Sequence, residues 1–265
     1  MTGPVTAMAG RKPLAHPSAV CATARVTAVA DGRGGSAVSV IRGEGPLAPR
    51  LTGSADGDAR VTLVGAMSGP LGGDRLALDV RVEDGAGLRM DSAAATLALP
   101  NRDDAASRYD VRLSVGEHGR LQWRPEPLIS ASRSVLRQTV HAELAPTARL
   151  FLREVSVLGR SCEEPGRLTT CLSVRISGRP LLQQRLDFGP GALGWDSAAV
   201  LGGHRAVGQL LVVDPELDAA PAEPGVPSPG AVVTPLAGPA VLVTVLGEDA
   251  LAVSRVLNEA LPWVS

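Results

Sequence analysis

Residues 76–90, LALDVRVEDGAGLRM, decide the fold, because apolar and polar residues alternate in them up to a short glycine-containing turn. Strict alternation of this kind is typical of a half-buried β-strand. The arrangement returns in residues 111–123, VRLSVGEHGRLQW, and again in residues 140–152, VHAELAPTARLFL. The first apolar residue after each turn recurs at intervals of 33 and 29 residues, at Leu88, Leu121 and Leu150. The chain therefore repeats one strand–turn–strand unit.

This repeat predicts a mainly β fold of stacked layers, resembling a β-helix or solenoid. A sandwich of ordinary hairpins is the alternative, since its strands alternate with the same period of two. Residues 25–41, RVTAVADGRGGSAVSVI, predict a hairpin, because two β-type runs flank a glycine-rich turn.

One helix is expected near the C-terminus. Its apolar residues recur at helical spacing and form one face: Val253, Val256, Leu257, Ala260 and Leu261. Glu248 and Asp249 come just before this face, where negative charge favours the positive start of a helix. Pro262 is expected to end the helix.

The domain organisation is predicted from the distribution of proline. Residues 1–22 contain three prolines among small residues, which predicts a flexible N-terminal arm. Residues 23–265 are then expected to form a single β domain. Within it, residues 221–239 contain six prolines and predict an exposed loop, since proline is excluded from helix interiors and central strands.

Composition excludes several classes of protein. The 26 basic and 27 acidic residues leave a net charge of -1, which argues against a nucleic-acid binder. Aromatic residues make up only 2% of the chain, which argues against surfaces that stack bases or sugars. Apolar runs long enough for a signal peptide or a membrane span are absent. We therefore expect a soluble cytoplasmic protein without a membrane or nucleic-acid partner.

Metal-binding and catalytic motifs are not evident. Three cysteines without a CxxC motif favour a reducing compartment, and the histidines are scattered, which predicts no stable metal site and no resident cofactor. His141 lies on the strand face opposite Val140, so a surface position and an internal wall both remain open. Cys162 and the two glutamates after it, together with Cys171, form either a soft-metal chelate or an ordinary polar loop.

Three carboxylates occur in apolar or strand-like surroundings. Glu154 lies within LFLREVSVLGR, and burying it is costly unless it is paired, binds a cation or meets water. Asp74 follows two glycines in PLGGDRL, and Asp91 lies at a strand end. A structural salt bridge or a turn cap is the alternative for each.

Several segments together resemble a known family. These are PLGGDRLALDVRVEDGAGL (70–88), GRLQWRPEPLI (119–129), LRQTVHAELAPTARLFLREVSVLGR (136–160) and GRLTTCLSVRISGRPLLQQRLDF (166–188). In order and spacing they resemble the urease accessory protein family UreD, called UreH in some bacteria. The strand–helix pattern of residues 240–264 also fits. The family-motif residues with an expected structural role are Gly72, Gly73, Trp123, Pro125, Gly159 and Arg160.

The resemblance implies a non-enzymatic chaperone in urease maturation. Members of the family bind UreF directly and the GTPase UreG through UreF, and the assembly docks on apo-urease. Nickel(II) is expected to travel through an internal passage of the protein and not to stay bound. The polar passage positions carried over to this chain are Asp74, Thr96, Glu154 and Gln184. Carboxylate, amide and hydroxyl groups hold nickel weakly, whereas clustered imidazoles and thiolates would trap it.

Departures from the family pattern indicate a divergent member of the high-GC actinobacterial type. Gln184 stands where some relatives have Glu, Leu97 where they usually have Lys, and Thr244 where Arg is common. The segment after LGR is shorter than usual, and the proline-rich stretch replaces a helix. Two other functions remain open: a polysaccharide-active enzyme on a β-helix, which needs acid–base residues and aromatic platforms, and a purely structural β-scaffold.

Overall fold

The computed structural model describes residues 19–102 and 105–259, which form two β-sheets and a C-terminal helix. The predicted N-terminal arm lies outside the described residues except for its last four positions, and Cys21 and Ala22 already belong to the first strand. Ala260, Leu261 and Pro262, predicted to complete and end the helix, also lie outside the described residues.

The strands are numbered in chain order. They are β1 (Cys21–Ala30), β2 (Ser36–Arg42), β3 (Leu47–Ala55), β4 (Asp58–Gly65), β5 (Arg75–Val82), β6 (Gly87–Ser92), β7 (Thr96–Ala98), β8 (Ser107–Val115), β9 (Arg120–Arg124), β10 (Leu128–Ser130), β11 (Val135–Leu144), β12 (Arg149–Leu158), β13 (Arg167–Ile176), β14 (Arg179–Phe188), β15 (Ala206–Val213), β16 (Ala231–Pro235) and β17 (Ala240–Gly247). Sheet A has the order β14-β13-β11-β8-β5-β1-β2, and sheet B the order β16-β17-β15-β12-β9-β6-β4-β3.

Each predicted unit crosses from sheet A to sheet B at its turn. The strands β5, β8 and β11 lie side by side in sheet A and pair in parallel, and their successors β6, β9 and β12 do the same in sheet B. Strands joined by a turn therefore do not pair with each other, as they would in a hairpin. The stacked, solenoid-like arrangement is confirmed, and the sandwich of hairpins is excluded for these units.

One sequence repeat corresponds to one layer of the stack. Leu121 is the register partner of both Leu88 and Leu150, and all three side chains are at most 1% exposed. The turns stack as well, because the amide of Gly116 donates to the carbonyl of Val82 at 2.8 Å in the layer before it. One aliphatic core thus runs between the sheets through successive layers.

Antiparallel strands close the ends of the stack. The predicted hairpin is confirmed as β1 and β2, and β14 returns on β13 in the same way. Residues 221–239 are not wholly a loop, since β16 pairs with β17 at the edge of sheet B. This part of the prediction is wrong because residues 231–234 contain no proline, and Pro235 only ends an edge strand, where proline is tolerated.

The predicted C-terminal helix is confirmed as α1 (Ala250–Glu259). Val253 and Leu257 are its buried residues and pack on sheet B. Asp249 caps it by accepting a hydrogen bond from the amide of Ala252 at 2.7 Å. Among residues 19–102 and 105–259, no helix has the length and apolar character needed to cross a bilayer.

Truncation of the central stacked leucine should test the layer register. We expect Leu121→Ala to lower the free energy of unfolding by about 2–5 kcal/mol, because the cavity lies between two layers that cannot collapse onto each other. Urea denaturation followed by circular dichroism measures this loss. The control is Leu193→Ala, on a fully exposed side chain, which should change stability by less than about 0.5 kcal/mol. Equal losses in the two variants would contradict the stacked core.

Candidate functional site

A polar cavity interrupts the aliphatic core between the two sheets. Sheet A contributes Tyr109 from β8 and Gln138 from β11, and sheet B contributes Trp123 from β9 with Glu154 and Ser156 from β12. The cavity has a volume of about 20 Å³, which is room for one water molecule. On each strand these polar residues lie on the same face as buried aliphatic residues, so their side chains point into the protein.

Glu154 is the ionisable centre of this cavity. Its Oε1 accepts a hydrogen bond from Nε2 of Gln138 at 2.8 Å. Burial raises the pKa of Glu154 from its ordinary value of 4.5 to about 7, against the opposing influence of the N–H groups of Trp123 and Gln138. The indole nitrogen of Trp123 is buried and has no hydrogen bond of ordinary geometry in the described part of the chain. Near neutral pH the carboxyl group is therefore divided between its charged and neutral forms.

Tyr109 provides a neutral hydroxyl group beside this carboxyl. Burial, followed by the negative charge of Glu154, raises the pKa of Tyr109 above its usual range. The phenol therefore keeps its proton at physiological pH and offers the cavity one donor and an acceptor oxygen.

A second, larger cavity lies beside this polar interior and opens at the surface. It has a volume of about 510 Å³ and shares Leu63, Ser92, Thr96 and Tyr109 with the inner cavity. Its opening is lined by small and apolar residues: Gly65, Ala66, Met67, Ala94, Ala95 and Leu97. The two cavities are therefore adjacent, and Glu154 lines the inner one.

Two of the four predicted passage positions line these cavities. Thr96 and Glu154 line the inner cavity, although they are far apart in sequence. The buried carboxylate of Asp74 instead accepts hydrogen bonds from the amides of Val20 and Leu71, at 2.8 and 2.9 Å, and so holds the glycine loop in place. Gln184 lies on β14, at the edge of sheet A. Neither Asp74 nor Gln184 lines either cavity.

The family-motif residues occupy structurally constrained positions. A Cβ at Gly72 would lie 2.6 Å from the carbonyl oxygen of Ala105, and Gly73 follows it in the loop that Asp74 caps. Trp123 and Pro125 line the inner cavity. Gly159 has a φ of +81°, and the next residue, Arg160, forms an ion pair with Glu163 at 2.7 Å.

Sequence reasoning missed Tyr109, Gln138 and Ser156. Gln138 occupies an inward position of β11 between the aliphatic Leu136 and Val140, and Tyr109 and Ser156 likewise share the inward phase of their strands with buried aliphatic residues. The sequence signal for such a residue is a polar side chain at one of the inward, otherwise apolar positions of a strand. This signal does not show which polar side chains contact each other, because that depends on how the two sheets face each other.

The other metal-ligand candidates do not converge. His141 lies in a groove on the outer face of sheet A with Arg112 and Glu143, so the surface alternative holds. Cys162 is exposed and Cys171 half-buried. Across residues 19–102 and 105–259, no group of three or more His, Cys, Asp or Glu side chains is placed to hold a metal ion.

Stability should depend on pH through Glu154. The folded-state pKa lies above the unfolded value, so the native protein loses stability as pH rises from about 4.5 to about 7. Glu154→Gln removes this titration while keeping the shape of the side chain. The variant should therefore gain stability relative to the wild type with rising pH, by up to about 3 kcal/mol at pH 8. Urea denaturation of both proteins at pH 5 and pH 8 measures the difference, and a difference that is the same at both values would contradict the assignment.

Comparison with known proteins places these features in a family. A family model described as "UreD urease accessory protein" matches residues 21–264. Urease accessory protein UreD of Streptomyces coelicolor is 56% identical over 243 residues, covering 91% of this chain and 96% of the relative. UreD of Streptomyces avermitilis is 54% identical over 243 residues with the same coverage. UreD 2 of Saccharopolyspora erythraea is 49% identical over 246 residues, covering 91% of this chain and 87% of the relative. The chain therefore belongs to the UreD urease accessory protein family, as its motifs predicted.

Proposed function

We propose that this chain is a non-enzymatic chaperone of urease maturation that conducts nickel(II) through the space between its two sheets. The observation that supports the proposal is that Thr96 lines both the outer, surface-open cavity and the inner cavity that contains Glu154. A carboxylate largely withdrawn from water costs stability unless it is paired, hydrogen-bonded or bound to a cation, and a passing cation is one such partner.

The donor set suits transit. Glu154, Tyr109, Gln138 and Ser156 offer carboxylate, hydroxyl and amide oxygens, which bind nickel more weakly than imidazole or thiolate ligands. An arriving cation favours the ionised form of Glu154, and a returning proton competes with the ion for the same oxygens. Because the pKa is about 7, this exchange needs little driving force near neutral pH.

The size of the inner cavity sets a condition on transport. Space for one water molecule does not admit a fully hydrated nickel ion. The ion therefore sheds water on entry, or the side chains at the constriction move. Leu63, Thr96 and Tyr109 line both cavities and lie at this boundary.

The partners follow from the family. In this proposal UreF binds the chain directly, the GTPase UreG binds through UreF, and the assembly docks on apo-urease in the cytoplasm. Exposed Met67 and Leu71 lie on the loop beside the opening of the outer cavity. Exposed apolar side chains around an opening are suited to burial by a protein partner. A polysaccharide-active enzyme finds no such support, since Tyr109 and Trp123 are buried in the cavity wall and offer no sugar platform.

Reconstitution tests the maturation role. Urease activity is measured in a nickel-supplemented host that expresses the cognate urease subunits, UreF and UreG, with and without this chain. We expect full activity only when the chain is present. Equal activity in its absence, with soluble expression confirmed, would contradict the role.

Substitution of Glu154 tests the conduit. Glu154→Gln keeps the hydrogen-bonding shape but removes the charge, and we expect about tenfold less nickel per urease active site, as for the loss of one charge-assisted contact. Metal analysis of the purified urease measures this directly. Glu83→Gln is the matched control, on an exposed carboxylate paired with Arg81 at 2.8 Å, and it should load urease normally. Normal loading by a folded Glu154→Gln protein would exclude the conduit while leaving a docking role intact.

A further inference from the structure

The outer face of sheet B carries an arginine-rich cleft on the opposite side of the sheet from the polar cavity. It has a volume of about 360 Å³. Four arginines, two carboxylates and a glutamine contribute its polar lining: Arg60, Arg89, Arg124, Arg153, Asp91, Glu126 and Gln122. These lining residues carry a net charge of +2, and Asp56 and Asp58, which lie outside the lining, both pair with Arg89.

One half of the cleft is internally neutralised. Arg60 and Arg89 are register partners on adjacent strands, an arrangement that places like charges side by side. Arg60 forms an ion pair with Asp91 at 2.8 Å, and Arg89 forms one with Asp56 at 2.7 Å. These carboxylates offset the repulsion, so this half offers little unpaired charge to a ligand.

The other half holds two arginines and one carboxylate, that of Glu126. Arg124 and Arg153 make no ion pair with any residue in the described ranges. The guanidinium of Arg124 lies over the ring of Phe151, with Cζ 5.3 Å from the ring centroid. Arg153 donates from Nη1 to Asn258 at 3.1 Å, but its Nε is buried and has no hydrogen-bond partner there. Burial, and then the charge of Arg124, lower the pKa of Arg153, whereas Glu126 acts in the opposite direction.

We propose that this cleft binds carboxylate side chains and is the docking site for an acidic segment of a protein partner. One guanidinium group binds one carboxylate through two parallel hydrogen bonds. The stacking of Arg124 on Phe151 fixes the orientation of one such guanidinium before a ligand binds. The resident Asp91 and Glu126 repel a dianionic phosphate more strongly than a singly charged carboxylate. The cleft therefore suits singly charged carboxylates spaced along a segment better than the concentrated double charge of one phosphate group.

The proposal is independent of nickel conduction. Arg124 and Arg153 point outward from β9 and β12, while their chain neighbours Trp123 and Glu154 point into the cavity. Substitution of the outward arginines therefore leaves the lining of the passage unchanged.

Binding of a fluorescein-labelled octaglutamate peptide to the full chain, followed by fluorescence anisotropy at low ionic strength, tests the cleft. We expect saturable binding that weakens as salt is added. Arg124→Gln and Arg153→Gln should each weaken it about tenfold, as for the loss of one charge-assisted contact. Arg124→Lys, which keeps the charge but loses the planar fork, should have an intermediate affinity. Arg81→Gln is the control, on an exposed arginine paired with Glu83, and should stay within about twofold of the wild type.

Three results would overturn the proposal. One is the absence of saturable binding to the wild type. Another is equal affinity of the wild type and of folded Arg124→Gln and Arg153→Gln proteins, with folding checked by circular dichroism. The third is displacement of the peptide by inorganic phosphate at concentrations at which acetate has no effect, since this would identify a phosphate site. Arg124→Lys preserves the cation over Phe151 and serves as the folded comparison where the neutral variants are unstable.

Discussion

Parallel pairing between equivalent strands places each inward side chain directly beside its counterpart in the next layer. Leu78, Val111 and Val140 form such a row in sheet A. Because the backbone hydrogen bonds run between layers, they are satisfied whichever side chain occupies the interior. Backbone hydrogen bonds between layers thus stabilise the fold, and the side chains in each inward-facing row can differ from one row to the next.

The polar cavity is formed by polar side chains at such inward positions. Tyr109 and Gln138 are register partners on β8 and β11, so two polar groups occupy one row of an otherwise aliphatic sheet. Across the core, Thr96, Leu128 and Ser156 form a second row through the short strands β7 and β10. Glu154 faces the space between the rows. The polar cavity is therefore a local change of side chains within an unbroken β-helical frame.

Features that depend on the spacing of apolar residues were predicted from the sequence. Contacts that depend on the register between distant strands were not. The spacing of Leu88, Leu121 and Leu150 predicted the layers, and Glu154 was recognised from its apolar surroundings. Its partner Gln138 was not, since no local pattern indicates which strands face each other across the core. Asp74 was assigned to the passage by resemblance, and its alternative role as a cap became visible only with the amide of Val20, 54 positions earlier in the chain.

The alternation of β12 separates two kinds of chemistry by a single residue. Arg153 faces the outer cleft and Glu154 the inner cavity, so opposite charges adjacent in sequence lie on opposite faces of one sheet. Trp123 and Arg124 repeat the arrangement on β9. A partner bound outside would thus rest on the same two strands that line the passage. Because these strands pair with both neighbouring layers, one rigid wall carries the outer cleft on one face and the inner cavity on the other, and Glu126 lines both.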